Sequence, residues 1–167
     1  TVSRSFSIID GNVPHLHGPG NHDYGFQHAE DEHTFFPDYF TAERQGSILL
    51  DRLVAEYPNR EGRASLENAA FEFQLDGWER KILVITAEFA PSDGAVEWAK
   101  KLCLSDKYKD HYVIYLTHSY MKCHKCGNTV TPTEKYPLTQ RPGNNSGVQL
   151  WEKLFSQVPN VRLVLCG

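Results

Sequence analysis

Long apolar runs and an excess of basic residues are both missing from this sequence. No uninterrupted apolar stretch approaches the ~20 residues that a membrane-spanning helix needs, which argues against a membrane-embedded chain. Lysine and arginine number 17 against 21 acidic residues, so the formal net charge is −4. Nucleic-acid-binding domains carry a basic patch or stripe. The charge balance therefore argues against nucleic acid, and against an anionic membrane surface, as a partner.

Internal repeats and low-complexity tracts are also missing, and the composition is that of a globular protein. Apolar residues make up 40% and charged residues 23% of the 167 residues, enough for one domain with its own core. We therefore predict a single domain over residues 1–167. Apolar runs alternate with helical patterns, which predicts an α/β fold with a mixed sheet. The predicted strands are 68–75, 81–87, 111–117 and 161–166, and the predicted helices are 93–103 and 146–158.

Three further segments carry local predictions. Residues 46–57 place apolar side chains close to helical spacing, and Pro58 would end that helix. Residues 121–145 are rich in Lys, Thr, Pro, Gly and Asn, which predicts a long loop. The apolar run 13–17 precedes Gly18 and Pro19 and is interpreted as a strand that ends in Gly-Pro-Gly.

The segment Gly20-Asn21-His22-Asp23 is the strongest functional signal in the sequence. Glycine allows a sharp backbone turn, and it is followed by an amide, an imidazole and a carboxylate in consecutive positions. Such a convergence at a strand tip favours a metal or phosphate site. The alternative for each residue is structural: Asn and Asp often stabilise turns, and the histidine would be a surface side chain.

Two later segments place this motif in a family context. His111–Ser119 is an apolar strand that ends in Thr-His-Ser, and Asn160–Gly167 is an apolar strand that ends in Gly. With these segments the chain resembles the calcineurin-like metallophosphoesterase family. That family has Gly-Asn-His-Asp/Glu at one strand end, a strand closing on His at a second, and Gly-His-x-His at a third. The resemblance extends to Glu88-Phe89-Ala90-Pro91 and Asn145-Ser146-Gly147 and covers most of the chain.

The resemblance implies a fold, an activity and a set of site residues. The fold would be two sheets packed face to face and flanked by helices, an αββα sandwich with metals at the strand ends. Asn21 and His118 would be metal ligands, His22 would contact the phosphate or protonate the leaving group, and Asp23 would orient a neighbouring group or the loop. Two divalent ions, manganese, iron or zinc, would activate water for in-line attack on a phosphoester substrate. The expected function is that of a phosphatase or phosphodiesterase.

The sequence also departs from the family pattern. The residues before Gly20 contain neither Asp-x-His nor Gly-Asp-x-x-Asp, and the chain stops on Gly167 where Gly-His-x-His would begin. It also starts on Thr1. We therefore expect a central fragment, incomplete at both ends, that by itself binds two metals poorly and is inactive. Neither compartment nor oligomeric state is predicted.

Two other functions stay open at this stage. The first is a non-catalytic relative that keeps the fold and binds a ligand or partner. The second is a redox or zinc module built on Cys123 and Cys126, although one Cys-x-x-Cys pair supplies only half of the four ligands of a structural zinc site. A local disulfide or two free thiols is the favoured interpretation of that pair. We expect Cys103 and Cys166 to be buried thiols in the core.

Overall fold

The computed structural model describes residues 2–124, 127–130 and 134–167. The helices are α1 (Val2–Phe6), α2 (Phe36–Tyr39), α3 (Ser47–Leu50), α4 (Asp93–Leu104) and α5 (Gly147–Leu150), and α5 continues into a π-helical turn, Trp151–Phe155. The strands are β1 (Leu53–Glu56), β2 (Ala69–Phe73), β3 (Ile82–Thr86), β4 (Tyr112–Leu116), β5 (Met121–His124), β6 (Gly127–Val130) and β7 (Val161–Leu165). Short 3₁₀ turns cover Asn21–Asp23, Glu43–Gln45, Leu66–Asn68 and Pro137–Gln140.

Within these residues, five strands form one mixed sheet in the order β1-β2-β3-β4-β7, and β5 pairs with β6 in a separate ribbon. Strand β2 is antiparallel to β1 and β3, whereas β4 is parallel to β3 and β7. The fold is therefore mixed α/β. The resemblance also implies two sheets packed face to face, and that arrangement stays a prediction.

A hairpin and a crossover helix connect the central strands. Strands β2 and β3 pair antiparallel across a turn at Gly77, whose φ of +79° favours glycine. Helix α4 then connects β3 to the parallel strand β4. Ser92 caps this helix, because its hydroxyl accepts a hydrogen bond from the Ala95 N–H at 3.3 Å. The buried side of α4 packs on the sheet and forms the main core with α5.

Three local predictions were wrong. Helix α3 ends at Leu50, and residues 53–56 form β1, because pairing with β2 outweighs the helical spacing of the segment. Residues 121–145 are not one loop, since they contain β5, β6 and a 3₁₀ turn. Residues 14–20 form no strand, and prolines at positions 14 and 19 remove two of the N–H donors that a strand would need.

The cysteine predictions have mixed outcomes. Cys103 is buried in the core, as predicted, whereas Cys166 is exposed. Strand β7 lies at the edge of the sheet and none of its residues is fully buried, so the residue that follows it is exposed as well. Cys126 lies outside the described residues, so the pairing of Cys123 with Cys126 stays a prediction.

The topology brings three strand ends to one edge of the sheet. In the parallel register Leu116 of β4 lies beside Thr86 of β3 and Leu165 of β7. The residues that follow these strands therefore gather at the carboxyl edge, where open α/β sheets bind ligands. None of the helices in the described part of the chain is long and apolar enough to cross a membrane.

Candidate metal and phosphate site

Residues 18–23 cross the carboxyl edge of the sheet next to β4. Gly18 lies against the Leu116 side chain, since a Cβ on Gly18 would be 3.5 Å from Leu116 Cγ. The chain then enters the 3₁₀ turn Asn21–Asp23. His118 follows β4 by two residues, so both predicted metal ligands lie at this edge.

The Asn21 and His118 side chains are in direct contact although 97 residues separate them in sequence. His118 Nε2 lies 2.8 Å from Asn21 Oδ1, a hydrogen-bond distance at which the ring N–H donates to the amide oxygen. Asn21 is buried, with 5% of its surface exposed. Its amide nitrogen is also buried and has no hydrogen-bond partner. A buried donor without a partner costs about 1–3 kcal/mol.

Two glycines make room for the His118 ring. A Cβ on Gly20 would lie 3.3 Å from His118 Cε1 and Nδ1, and a Cβ on Gly167 would lie 2.8 Å from Nδ1. Gly20 has an extended backbone with φ −98°, so it is needed for space rather than for a left-handed turn. The Phe89 ring lies against another side of His118, at a centroid distance of 5.7 Å. These neighbours fix the orientation of the imidazole.

His22 and Asp23 differ in their surroundings. His22 is exposed, and its ring lies 5.4 Å from that of His28. Asp23 Oδ2 accepts the Gly20 N–H at 2.8 Å, and the Asp23 N–H donates to the Gly20 carbonyl at 3.1 Å. Asp23 thus closes the turn that presents Asn21. A direct catalytic role for His22 or Asp23 stays a prediction.

A buried Tyr–Glu hydrogen bond anchors the far side of this turn. The Tyr24 hydroxyl donates to Glu67 Oε1 at 2.5 Å, and Glu67 Oε2 accepts from Asn59 Nδ2 at 2.7 Å and from Ser65 Oγ at 2.8 Å. Burial raises the pKa of the Glu67 carboxyl. Burial also raises the pKa of Tyr24, and the Glu67 charge adds to that shift, so Tyr24 remains the donor. No periodic pattern in the sequence predicts this contact.

A buried ion pair holds the segment that carries Phe89. Arg60 Nη1 lies 3.4 Å from Glu88 Oε2, and both side chains are almost fully buried. Arg60 also donates to the Phe89 carbonyl at 3.0 Å, while Glu88 Oε1 accepts the Ser92 N–H at 2.9 Å. The motif Glu88–Pro91 was noted in the sequence without a role. In the structure it holds the segment whose Phe89 ring lies against His118.

His15 and His17 form a separate cluster near the N-terminus. His15 Nδ1 lies 2.7 Å from His17 Nε2, and His15 Nε2 lies 3.0 Å from Asp10 Oδ1. Arg44 Nε donates to Asp10 Oδ2 at 2.6 Å. Burial lowers the pKa of His17 to about 4, and the nearby His15 and Arg44 charges add to the shift. His17 is therefore neutral at neutral pH and joins α1 to the body of the protein.

The paired oxygen and nitrogen of Asn21 and His118 fit part of a metal site. Neighbouring ligands of an octahedral ion are about 3.0 Å apart when each bond is about 2.1 Å, close to the observed 2.8 Å. Amide oxygen and imidazole nitrogen suit manganese, iron or zinc. However, no group of three or more His, Cys, Asp or Glu side chains in the described part of the chain is arranged to hold a metal ion. The described residues thus supply two donors.

Comparison with known proteins assigns no family to this chain. No protein-family model matches it, and neither a curated protein nor a solved structure matches it. The metallophosphoesterase interpretation therefore depends on the motifs and on the contacts at the carboxyl edge of the sheet.

Proposed function

We propose that this chain is part of a metal-dependent phosphoester hydrolase of the calcineurin-like metallophosphoesterase type. The observation that supports the proposal is the 2.8 Å contact between Asn21 Oδ1 and His118 Nε2. The sequence motifs predicted that these two atoms would share a metal site. Residues 14–20 form no strand, so tertiary packing of residues 18–23 against the end of β4 brings the two side chains together.

In this proposal Asn21 and His118 are metal ligands. Divalent ions at such a site hold and deprotonate water and neutralise charge on phosphoryl oxygens. The chain contributes the positions of the two donors. Gly20, Gly167 and Phe89 fix the His118 ring, and the Asp23 carboxylate fixes the turn that carries Asn21. Fixed ligands reduce the reorganisation that metal and substrate binding would otherwise require.

His22 is the residue proposed to contact the phosphoester. It directly follows the ligand Asn21 and is exposed, so a substrate at the sheet edge can reach its ring. An imidazole N–H can donate to a phosphoryl oxygen or pass its proton to the leaving alkoxide. Asp23 acts as a positioning residue, because its carboxylate is already engaged by the Gly20 N–H.

One observation favours the alternative of a non-catalytic protein that binds phosphoesters with the same fold. Only two donors converge in the described residues, which is few for a catalytic two-metal site. In this alternative the edge of the sheet would still bind a phosphate group through His22. Hydrolysis measurements separate the two functions.

The test is hydrolysis of p-nitrophenyl phosphate and bis(p-nitrophenyl) phosphate with added Mn²⁺, by the protein expressed from its complete reading frame. We expect hydrolysis that chelator removes and Mn²⁺ restores. His22→Ala and His118→Ala should each abolish it. His33→Ala is the matched control, because His33 is an exposed histidine that pairs with Glu61 at 2.8 Å.

Three results would count against the proposal. Parental rates in both His22→Ala and His118→Ala would show that the site is assigned wrongly. Phosphate binding without hydrolysis in any metal would favour the non-catalytic alternative. Equal losses in His33→Ala would mean that the variants act through stability rather than through the site.

A further inference from the structure

A second exposed histidine lies beside His22. The His22 and His28 rings are 5.4 Å apart between centroids and inclined by 62°, and both side chains are exposed. Neither the motif nor the resemblance assigned a role to His28. Two imidazoles at this distance can direct N–H groups toward one ligand in the space in front of them.

His28 is held in place by an ordered loop. Glu30 Oε2 accepts the N–H groups of Phe26 at 3.0 Å, Gln27 at 3.1 Å and His28 at 3.0 Å. These backbone hydrogen bonds lower the pKa of Glu30 to about 2, so the carboxylate stays charged and keeps accepting them. Gly25 is required here: its φ is +66°, and a Cβ would lie 2.5 Å from Glu30 Oε2. The position of His28 is thus set by the backbone of the loop.

The loop is also tied to the rest of the domain. The Ala29 carbonyl accepts the Leu138 N–H at 2.9 Å, and Ala29 is fully buried. Arg141 Nη2 donates to the Glu30 carbonyl at 3.1 Å, and Arg141 Nη1 pairs with Glu32 at 3.0 Å. The loop therefore cannot swing away from His22 without breaking contacts to the segment 138–141.

The nearby carboxylates are already engaged. Asp23 accepts the Gly20 N–H, and Glu30 accepts the three N–H groups of its own loop. Neither carboxylate forms an ion pair with His22 or His28 among the described residues. The two rings are therefore available to an anion from outside the chain.

We infer that His28 is a second phosphate-contacting residue and that the pair His22–His28 selects phosphomonoesters over phosphodiesters. This inference rests on the proposed function and names its substrate class. A phosphomonoester carries a charge of about −1.5 to −2 near pH 7 and offers three terminal oxygens. A diester carries one negative charge and two such oxygens. Two adjacent imidazole N–H donors interact more strongly with the larger charge of the monoester, so the second histidine contributes more to monoester than to diester binding.

The test is a titration of the 167-residue chain with methyl phosphate and with dimethyl phosphate at about pH 7, where the two ligands differ in charge. Histidine ring signals are followed by NMR. We expect the His22 and His28 signals to shift together and with the same Kd for methyl phosphate. His28→Gln should weaken methyl phosphate binding by about threefold to fivefold, the upper part of what an exposed contact with a charged group supplies, and change dimethyl phosphate binding less.

His33→Gln is the matched control, because it removes an exposed histidine whose partner is Glu61. The inference is overturned if the His28 signal stays constant, or if His28→Gln and His33→Gln have equal effects. In the protein from the complete reading frame, His28→Gln should lower kcat/KM for p-nitrophenyl phosphate more than for its bis ester. Hydrolysis that is insensitive to His28→Gln would reject this inference and leave the proposed function standing, whereas a complete lack of hydrolysis would reject the proposed function.

Discussion

The Tyr24 hydroxyl is the contact whose removal we expect to have the clearest effect on stability. It donates at 2.5 Å to Glu67, a carboxylate with no exposed surface. Tyr24→Phe keeps the ring and removes only this donor. A hydrogen bond to a charged group contributes about 1.5–3 kcal/mol, so we expect the free energy of unfolding to fall by that amount. Because Asn59 and Ser65 still donate hydrogen bonds to Glu67, we expect a loss toward the lower end of this range.

The pH dependence of this loss follows from the raised pKa of Glu67. Burial lifts it above its ordinary value of 4.5, and the Tyr24 hydrogen bond partly offsets the rise. The favourable contribution of Glu67 to the free energy of unfolding is therefore complete below about pH 4.5. That contribution is lost as the pH rises through the higher folded-state pKa. Tyr24→Phe raises that pKa further. The destabilisation should thus be larger at about pH 7 than at about pH 4.5.

Urea unfolding followed by circular dichroism measures both effects. Tyr39→Phe is the control, because Tyr39 is 56% exposed and should change the free energy of unfolding by less than about 0.5 kcal/mol. A double-mutant cycle with Glu67→Gln isolates the pair. The reasoning is refuted if Tyr24→Phe and Tyr39→Phe lose the same stability, or if the loss at Tyr24 is independent of pH.

Three further predictions concern other parts of the molecule. Burial lowers the folded-state pKa of His17 from 6.5 to about 4, so the free energy of unfolding should fall as the pH drops from about 6.5 toward 4. His17→Gln should flatten this part of a plot of urea midpoint against pH, and an unchanged slope would contradict the prediction. Iodoacetamide should label the exposed Cys166 in the native protein and leave Cys103 unlabelled until the protein unfolds, since burial raises the pKa of Cys103 to about 12. Peptide mass spectrometry measures the two labelling rates, and equal rates would contradict the prediction. In Gly20→Ala the added methyl group should displace the His118 ring and weaken Mn²⁺ binding by about tenfold, without a large change in melting temperature. Calorimetry measures the affinity, and an unchanged affinity would argue against a metal site at His118.

The central part of the fold could be predicted because its signals are local. Strands β3, β4 and β7 are short apolar runs, and α4 begins at a Ser cap and carries a regular buried stripe. Such patterns give element type directly. Strand β1 could not be predicted in this way. Its residues continue a helical spacing, and only pairing with β2 makes them a strand.

The residues of the candidate site could be predicted from the sequence, whereas the residues that hold them in place could not. Asn21, His22 and His118 are polar side chains in short, recognisable motifs. The residues that fix them are ordinary types, such as Gly167 and Phe89, and they reach the site only through the parallel register of the sheet. Tyr24 and Glu67 are 43 residues apart, so their hydrogen bond also depends on tertiary packing.

The most direct test of the central claim is paramagnetic broadening of NMR signals by Mn²⁺. The claim is that Asn21 and His118 together hold a divalent ion. Small additions of Mn²⁺ to the 167-residue chain should broaden the Asn21 side-chain amide and the His118 ring signals first, and His118→Ala should remove the effect at Asn21. First broadening at the His15–His17 cluster, or broadening at Asn21 that persists in His118→Ala, would contradict the account.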